Sequence, residues 1–228
     1  TLGLVDYYDV TYSGGNAVGE YDMQSSSAGD WNAYSKYPVG WIEPTVVENL
    51  ASGESVEITI GSMADTGDAI VIPAAGTALD GPFGEYMLVD LFTDGGVNEY
   101  DAAGYGLGDT VGVRIYHINA NMERRDVTDI YGDTVTIGTI NVANAENDKG
   151  KYHIELLQAG GDNTFTDLDN LNATVSANDF FQTGDTFTTE NYSEFFYEGK
   201  MDNGQDFGYS IQVVSATEDG ATIRITKQ

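Results

Sequence analysis

Polar and apolar residues change their rhythm once along this chain. Before residue 43 no period lasts more than a few positions. The stretch DYYDVTYSGGNAVGEYDM is polar, aromatic and broken by glycine, which predicts an ordered loop. In GDWNAYSKYPVGW, Asp30 is placed to cap a short helix whose face carries Ala33, Tyr34 and Tyr37. Pro38 should stop that helix, and Trp41 should anchor its exit in the core. After residue 43 a period of two takes over. ESVEITIG places Val56, Ile58 and Ile60 on one side and Glu57 and Thr59 on the other, the mark of a half-buried strand.

Further strands follow at DAIVIP, EYMLVDLF, VGVRIYHI, DTVTIGTINV, YHIELLQA, GYSIQVVSA and GATIRITKQ. EYMLVDLF is almost continuously apolar. In VGVRIYHI one face carries Val111, Val113, Ile115 and His117, and the other carries Arg114, Tyr116 and Ile118. About eight short strands separated by glycine turns predict a sandwich or a barrel-like sheet unit. The expected organisation is a loop-and-helix segment over residues 1–42 and an all-β domain over 43–228. No internal repeat of fixed period is present.

Composition narrows the function classes. The chain has 228 residues, of which 41% are hydrophobic, so one large or two small domains can be packed. Glycine at 28 against proline at 4, with 15 tyrosines, fits a β-rich chain with many turns. Thirty-seven acidic residues against nine basic ones leave a net charge of −28. Nucleic acid is an unsuitable partner for such a surface, because phosphate binding needs a basic footprint. The many carboxylates instead offer oxygen ligands for calcium. The absence of cysteine excludes disulfides, thiolate metal sites and cysteine nucleophiles. High acidity without cysteine points to a secreted or extracellular protein. No run reaches the roughly 18 apolar residues of a membrane span.

Candidate chemistry begins at the first residues, TLGLVDYYD. Zinc peptidases carry H-E-x-x-H on a helix, and a longer form continues x-x-G-x-x-H and adds a later methionine turn. Here Thr1 and Leu2 can be the x-x, Gly3 the turn and Asp6 the third ligand, since zinc accepts carboxylate oxygen. Met23 follows within a turn-prone stretch. Read alone, GLVD is better taken as an ordinary helix end and Met23 as an ordinary core methionine.

Longer blocks separate those readings. Gly29, Asp30, Asn32, Ala33, Tyr34, Ser35, Lys36, Gly40 and Trp41 in GDWNAYSKYPVGW match a G-D-H-N-A-[FY]-S-K…G-W pattern. Leu2, Gly3, Leu4, Asp6, Tyr8 and Asp9 match L-G-L-P-D-x-Y-D. GEYMLVDLF, VGVRIYHIN, FFQTGDTFT and the last two strands continue the likeness in collinear order over nearly the whole chain. The set resembles the immune inhibitor A-like secreted zinc metallopeptidases, a metzincin-like family. The resemblance implies that residues 1–42 are the end of a catalytic domain and that residues 43–228 form an antiparallel β-sandwich-like domain. It implies a zinc ligand at Asp6, a turn at Gly3 and a hydrophobic floor at Met23. It also implies a protein or peptide substrate, with the H-E-x-x-H helix belonging to the upstream part of the same catalytic domain. Tyr7, Tyr8, Tyr12 or Tyr21 could line the cleft or donate to the oxyanion. The chain departs from the family pattern at Trp31, where a histidine is usual, at Val5, at Asp90 and at Asn119.

No H-E-x-x-H occurs in these 228 residues, and neither does the glutamate that serves as general base. The chain alone is therefore expected to be inactive. The alternative function is a non-catalytic β-rich binding or structural module of protease ancestry. The two histidines are expected elsewhere than at zinc: His117 as a satisfied core or edge residue, His153 on a polar, exposed face. GGDNTFTDLDN groups Asp162, Asp167 and Asp169 as a candidate calcium loop, and the loop headed by Asp9 is a second one.

Overall fold

The computed structural model describes residues 4–9, 15–27, 29–140, 151–167 and 174–228. Eleven strands lie along the described chain: β1 (Thr45–Val46), β2 (Ser55–Ile60), β3 (Ala69–Pro73), β4 (Glu85–Phe92), β5 (Gly112–Asn119), β6 (Met122–Thr128), β7 (Thr134–Ile140), β8 (Ile154–Leu157), β9 (Thr186–Phe187), β10 (Tyr209–Thr217) and β11 (Gly220–Lys227). Three short helices accompany them: α1 (Ala33–Lys36), α2 (Met63–Thr66) and α3 (Glu99–Gly104). The protein is mainly β, with a few short helices and several sheets.

The central sheet has five strands in the order β1-β3-β4-β5-β8. A second sheet runs β2-β11-β10-β9, and β6 pairs with β7 as a separate ribbon. Every pairing is antiparallel except β1 with β3, which is parallel and sets Thr45 opposite Ile70. The expected antiparallel order thus has one exception, at an edge strand of two residues.

Strands β4 and β5 are buried at every position. A near-continuous apolar strand needs cover on both faces, and this one has it. Met87, Val89, Leu91, Val113 and Ile115 join a cluster with Ile211, Val213, Ile223 and Ile225 of the second sheet. The alternate residues Tyr86, Leu88, Tyr116 and Ile118 join another with Tyr7, Val18, Tyr21, Ala33 and Tyr34. Fully burying each such aliphatic side chain contributes roughly 1.5–3 kcal/mol relative to exposure. The segment before residue 43 shares this second cluster with the strands after it. Strand β2, by contrast, alternates exposed and covered positions, as its sequence predicts. Where β11 begins, a Cβ on Gly220 would lie 2.9 Å from the Ile60 carbonyl oxygen, so only glycine lets β2 and β11 approach so closely.

Three local expectations are corrected. The cap of α1 is Asn32, whose side-chain oxygen accepts from the Ser35 N–H at 3.0 Å. Asn32 holds the last extended backbone before the helix, whereas Asp30 lies two residues too early and binds the Trp31 N–H and Lys36 instead. Trp41 does not reach the core; it is 53% exposed and packs on Trp31 with ring centroids 4.6 Å apart. His153 is buried, not exposed, because β8 and the residue before it are covered on both sides.

Candidate functional site

The N-terminal layer is knotted around one carboxylate. Asp22 is fully buried. Its Oδ1 accepts from the Gln24 N–H at 2.6 Å, and its Oδ2 accepts from the Asn32 N–H at 2.7 Å and the Ser35 hydroxyl at 2.8 Å. Its main-chain carbonyl takes the N–H groups of Ser25, Ser26 and Ser27. These bonds fold residues 22–27 into a tight turn with Met23 at its tip and tie that turn to α1. Burial raises the Asp22 pKa to about 6, against the hydrogen bonds from Gln24, Asn32 and Ser35, which favour the ionised form.

Residue 7 runs alongside this turn. The Tyr7 N–H donates to the Gln24 carbonyl at 3.1 Å, and the Tyr7 hydroxyl meets the Ser35 hydroxyl at 2.9 Å. The neighbouring Asp6 is exposed, and Met23 is 47% exposed, so Met23 is not a core methionine. Gly3 and Tyr12 lie outside the described residues. Tyr7 and Tyr21 are buried in the second cluster, and Tyr8 is partly exposed. Four buried polar atoms in and under this layer, Asn16 Oδ1, Trp31 Nε1, Asn32 Nδ2 and the Tyr116 hydroxyl, have no hydrogen-bond partner among the described residues.

A groove of about 510 Å³ opens beside the end of β8, lined by Gln158, Asp162, Thr164, Ser176, Asp179 and Asp185 among others. Asp179 is its anchored member: Oδ1 accepts from the Gln158 amide at 2.8 Å, and Oδ2 from the Ser176 N–H at 2.7 Å and the Tyr21 hydroxyl at 3.1 Å. Asp162 and Asp167 are both exposed, and among the described residues neither belongs to a group of three metal-ligating side chains. Asp169 lies outside the described residues. Asp9, head of the other candidate calcium loop, is buried rather than presented to solvent.

The third constellation sits at one corner of the central sheet. Met87 of β4 faces His117 of β5, so Glu85, two residues earlier, reaches His117 diagonally, while Glu155 of β8 lies directly opposite it. Glu85 Oε1 is 2.9 Å from His117 Nε2 and accepts the Asp202 N–H at 2.6 Å; Oε2 accepts the Asn203 N–H at 3.1 Å. Asn119 Nδ2 donates to Asp202 Oδ2 at 2.7 Å, and Asn163 Nδ2 to Glu155 Oε1 at 2.8 Å. The Phe196 ring closes one side at 5.2 Å from the imidazole. Burial disfavours the imidazolium, but the hydrogen bond to Glu85 and the charges of Asp202, Glu85 and Glu155 outweigh it and raise the His117 pKa. Burial pushes Glu155 up to about 7.

His117 is therefore the satisfied buried histidine that its strand pattern suggests. Glu85, Glu155 and Asp202 escape a reading of the chain in order, because they come together only through strand register and a distant turn. A signal existed for two of them: Glu85 and Glu155 interrupt otherwise apolar strands.

Comparisons with protein-family models, with curated proteins and with solved structures find no match. The likeness to immune inhibitor A-like peptidases thus rests on the residues quoted above. Among the described residues no helix is long and apolar enough to cross a membrane.

Proposed function

We propose that this chain is the carboxyl-terminal portion of a secreted zinc-dependent metalloendopeptidase, with Asp6 as the third zinc ligand and Met23 as the floor beneath the metal. One observation carries the reading. The Tyr7–Gln24 backbone bond sets the segment bearing Asp6 against the turn bearing Met23, and both side chains are left facing solvent. Seventeen positions separate Tyr7 from Gln24, so the pairing is not a local turn. Asp22 makes that turn rigid from below.

The fit to zinc is partial by construction. A zinc peptidase site needs three protein ligands and a place for water. The described residues supply one, Asp6. His117 is engaged by Glu85, and His153 stacks at 6.1 Å on Tyr7 and meets Tyr34 edge-on at 4.9 Å. The other ligands and the base belong to an upstream H-E-x-x-H helix. Within the whole enzyme the metal supplies Lewis-acid activation of water for peptide hydrolysis. This chain's own share is to hold one carboxylate and its apolar floor, and to brace them on two sheets that pack as an antiparallel sandwich-like unit.

The test uses the full-length gene product. It should contain H-E-x-x-H ending one residue before Thr1, hold one catalytic zinc and hydrolyse casein. Asp6→Ala should abolish hydrolysis. A gene without that motif, or a full-length protein that hydrolyses nothing and holds no zinc, overturns the reading. The second reading, a non-catalytic binding module, has the polar groove at Asp179 in its favour, and it gains wherever casein hydrolysis fails.

A further inference from the structure

The corner formed by Glu85, His117 and Asp202 is remote in sequence from Asp6 and plays no part in the peptidase reading. One ligand atom from each of its three residues lies within 4.8 Å of the other two. The three come from β4, from β5 and from the turn that follows Gly199, so the arrangement is tertiary and not an accident of one acidic loop. Glu85 and His117 are buried, while Asp202 is half-buried and gives access from solvent.

Glu155 supplies an independent observation. It is 5% exposed, faces His117 across the β5–β8 pair, and takes a single hydrogen bond among the described residues, from Asn163. A carboxylate so deeply buried calls for a positive charge nearby. Among the described residues His117 is the one cationic side chain inside the corner, and Glu85 and Asp202 already draw on it. Lys151 acts on Asp202 from the outer side. The buried part of the corner holds more carboxylate than cation.

We propose that Glu85, His117 and Asp202 form a divalent-metal site, with zinc(II) as the ion of best fit. An imidazole nitrogen with carboxylate oxygens suits zinc, whereas calcium and magnesium take oxygen alone. Zinc takes the place of the proton between His117 Nε2 and Glu85 Oε1, and that proton leaves to solvent. Glu85 Oε1 keeps the Asp202 N–H on its other lone pair. Asn119 on Asp202 and the Asn203 N–H on Glu85 hold the two carboxylates in orientation, as hydrogen bonds behind metal ligands do. Glu155 remains behind His117, uncoordinated. The ion would clamp the 200–206 turn to the central sheet.

The experiment uses this 228-residue chain, stripped with chelator and titrated with zinc chloride, with calcium chloride as control. One zinc per chain should survive gel filtration, and the melting temperature should rise by roughly 5 °C or more at a hundredfold excess over Kd. Calcium should do neither. Cobalt(II) in place of zinc should give a visible d–d absorption. Asp202→Asn, which keeps an acceptor for Asn119, should weaken zinc at least tenfold and remove the cobalt spectrum; His117→Gln should do the same. Asp6→Ala should leave both unchanged, which separates this site from the peptidase zinc. No zinc-dependent shift in the unaltered chain overturns the proposal. So does zinc bound equally well by Asp202→Asn, or zinc lost in Asp6→Ala.

Discussion

The two faces of strands β4 and β5 are covered in opposite ways. One face meets a second sheet, and the other meets the irregular layer of residues 4–9, 15–27 and 29–42. Against the second sheet the seam is apolar from Met87 to Ile225, apart from the His117 corner. A sheet pairs its own backbone groups in ladders and can present an unbroken apolar face. The irregular layer has no ladder. Its N–H groups bond to turn carbonyls and to side chains, and the Asp22 carboxylate alone accepts two of them and a hydroxyl. The strands answer in kind: on that face Arg114 of β5 forks onto Asp90 of β4 at 2.6 and 2.9 Å, with its guanidinium 5.3 Å from the Phe92 ring and 5.7 Å from the Tyr116 ring. Both faces carry buried polar groups, Arg114 with Asp90 on one and His117 with Glu85 on the other, and the irregular layer adds Asp22.

Breaking the polar face should cost most. Arg114→Leu leaves Asp90 fully buried without its partner, and the loss in unfolding free energy should be about 3–5 kcal/mol by urea denaturation. Arg114→Leu together with Asp90→Leu should recover most of it, since both charges then go. If the single variant costs no more than a surface change, the pair does not organise that face. On the apolar face, Ile223→Ala should cost about 2–4 kcal/mol, from lost transfer energy and the cavity left between the sheets. A much smaller loss would mean that the seam collapses freely and is not closely packed.

The smallest effect is one of slope. Burial raises Asp22 from 3.8 to about 6, so the folded protein holds this proton more tightly than the unfolded chain does. Its contribution is therefore largest below about pH 4 and is lost as pH rises to about 6, opposite in sign to a salt-bridged carboxylate. Unfolding free energy measured across that window should fall more in the unaltered protein than in Asp22→Asn. Parallel curves would show that Asp22 stays ionised in the folded state throughout and that its three donors outweigh burial.

The strands were legible where a pattern is local. Val56, Ile58 and Ile60 alternate and β2 is half-covered; EYMLVDLF is continuous and β4 is covered twice. Strand β6, MERRDVT, was not legible, because its residues do not alternate apolar with polar, and the tip residues Ile130 and Tyr131 of its ribbon are exposed. His153 misled for a related reason: alternation with Glu155 and Leu157 implies a wet face only when one face is wet, and β8 has none. At the candidate sites, Asp6, Met23 and His117 stand out in the sequence by residue type and spacing. Asp22 and Asp202 do not, since nothing within a few residues of them signals burial or a partner.

By itself the sequence determined a mainly β chain, strongly acidic and without cysteine, whose apolar runs mark the central strands. Those properties belong to side-chain alternation and composition, and both are local. Which faces are covered, which acids are buried and which histidine they surround were decided by tertiary structure alone. Register sets Glu155 opposite His117 across neighbouring strands, and a turn 85 residues further along the chain brings Asp202 to the same imidazole. Burial and the charges of neighbours fix the ionisation of such groups, and neither exists until the chain has closed on itself.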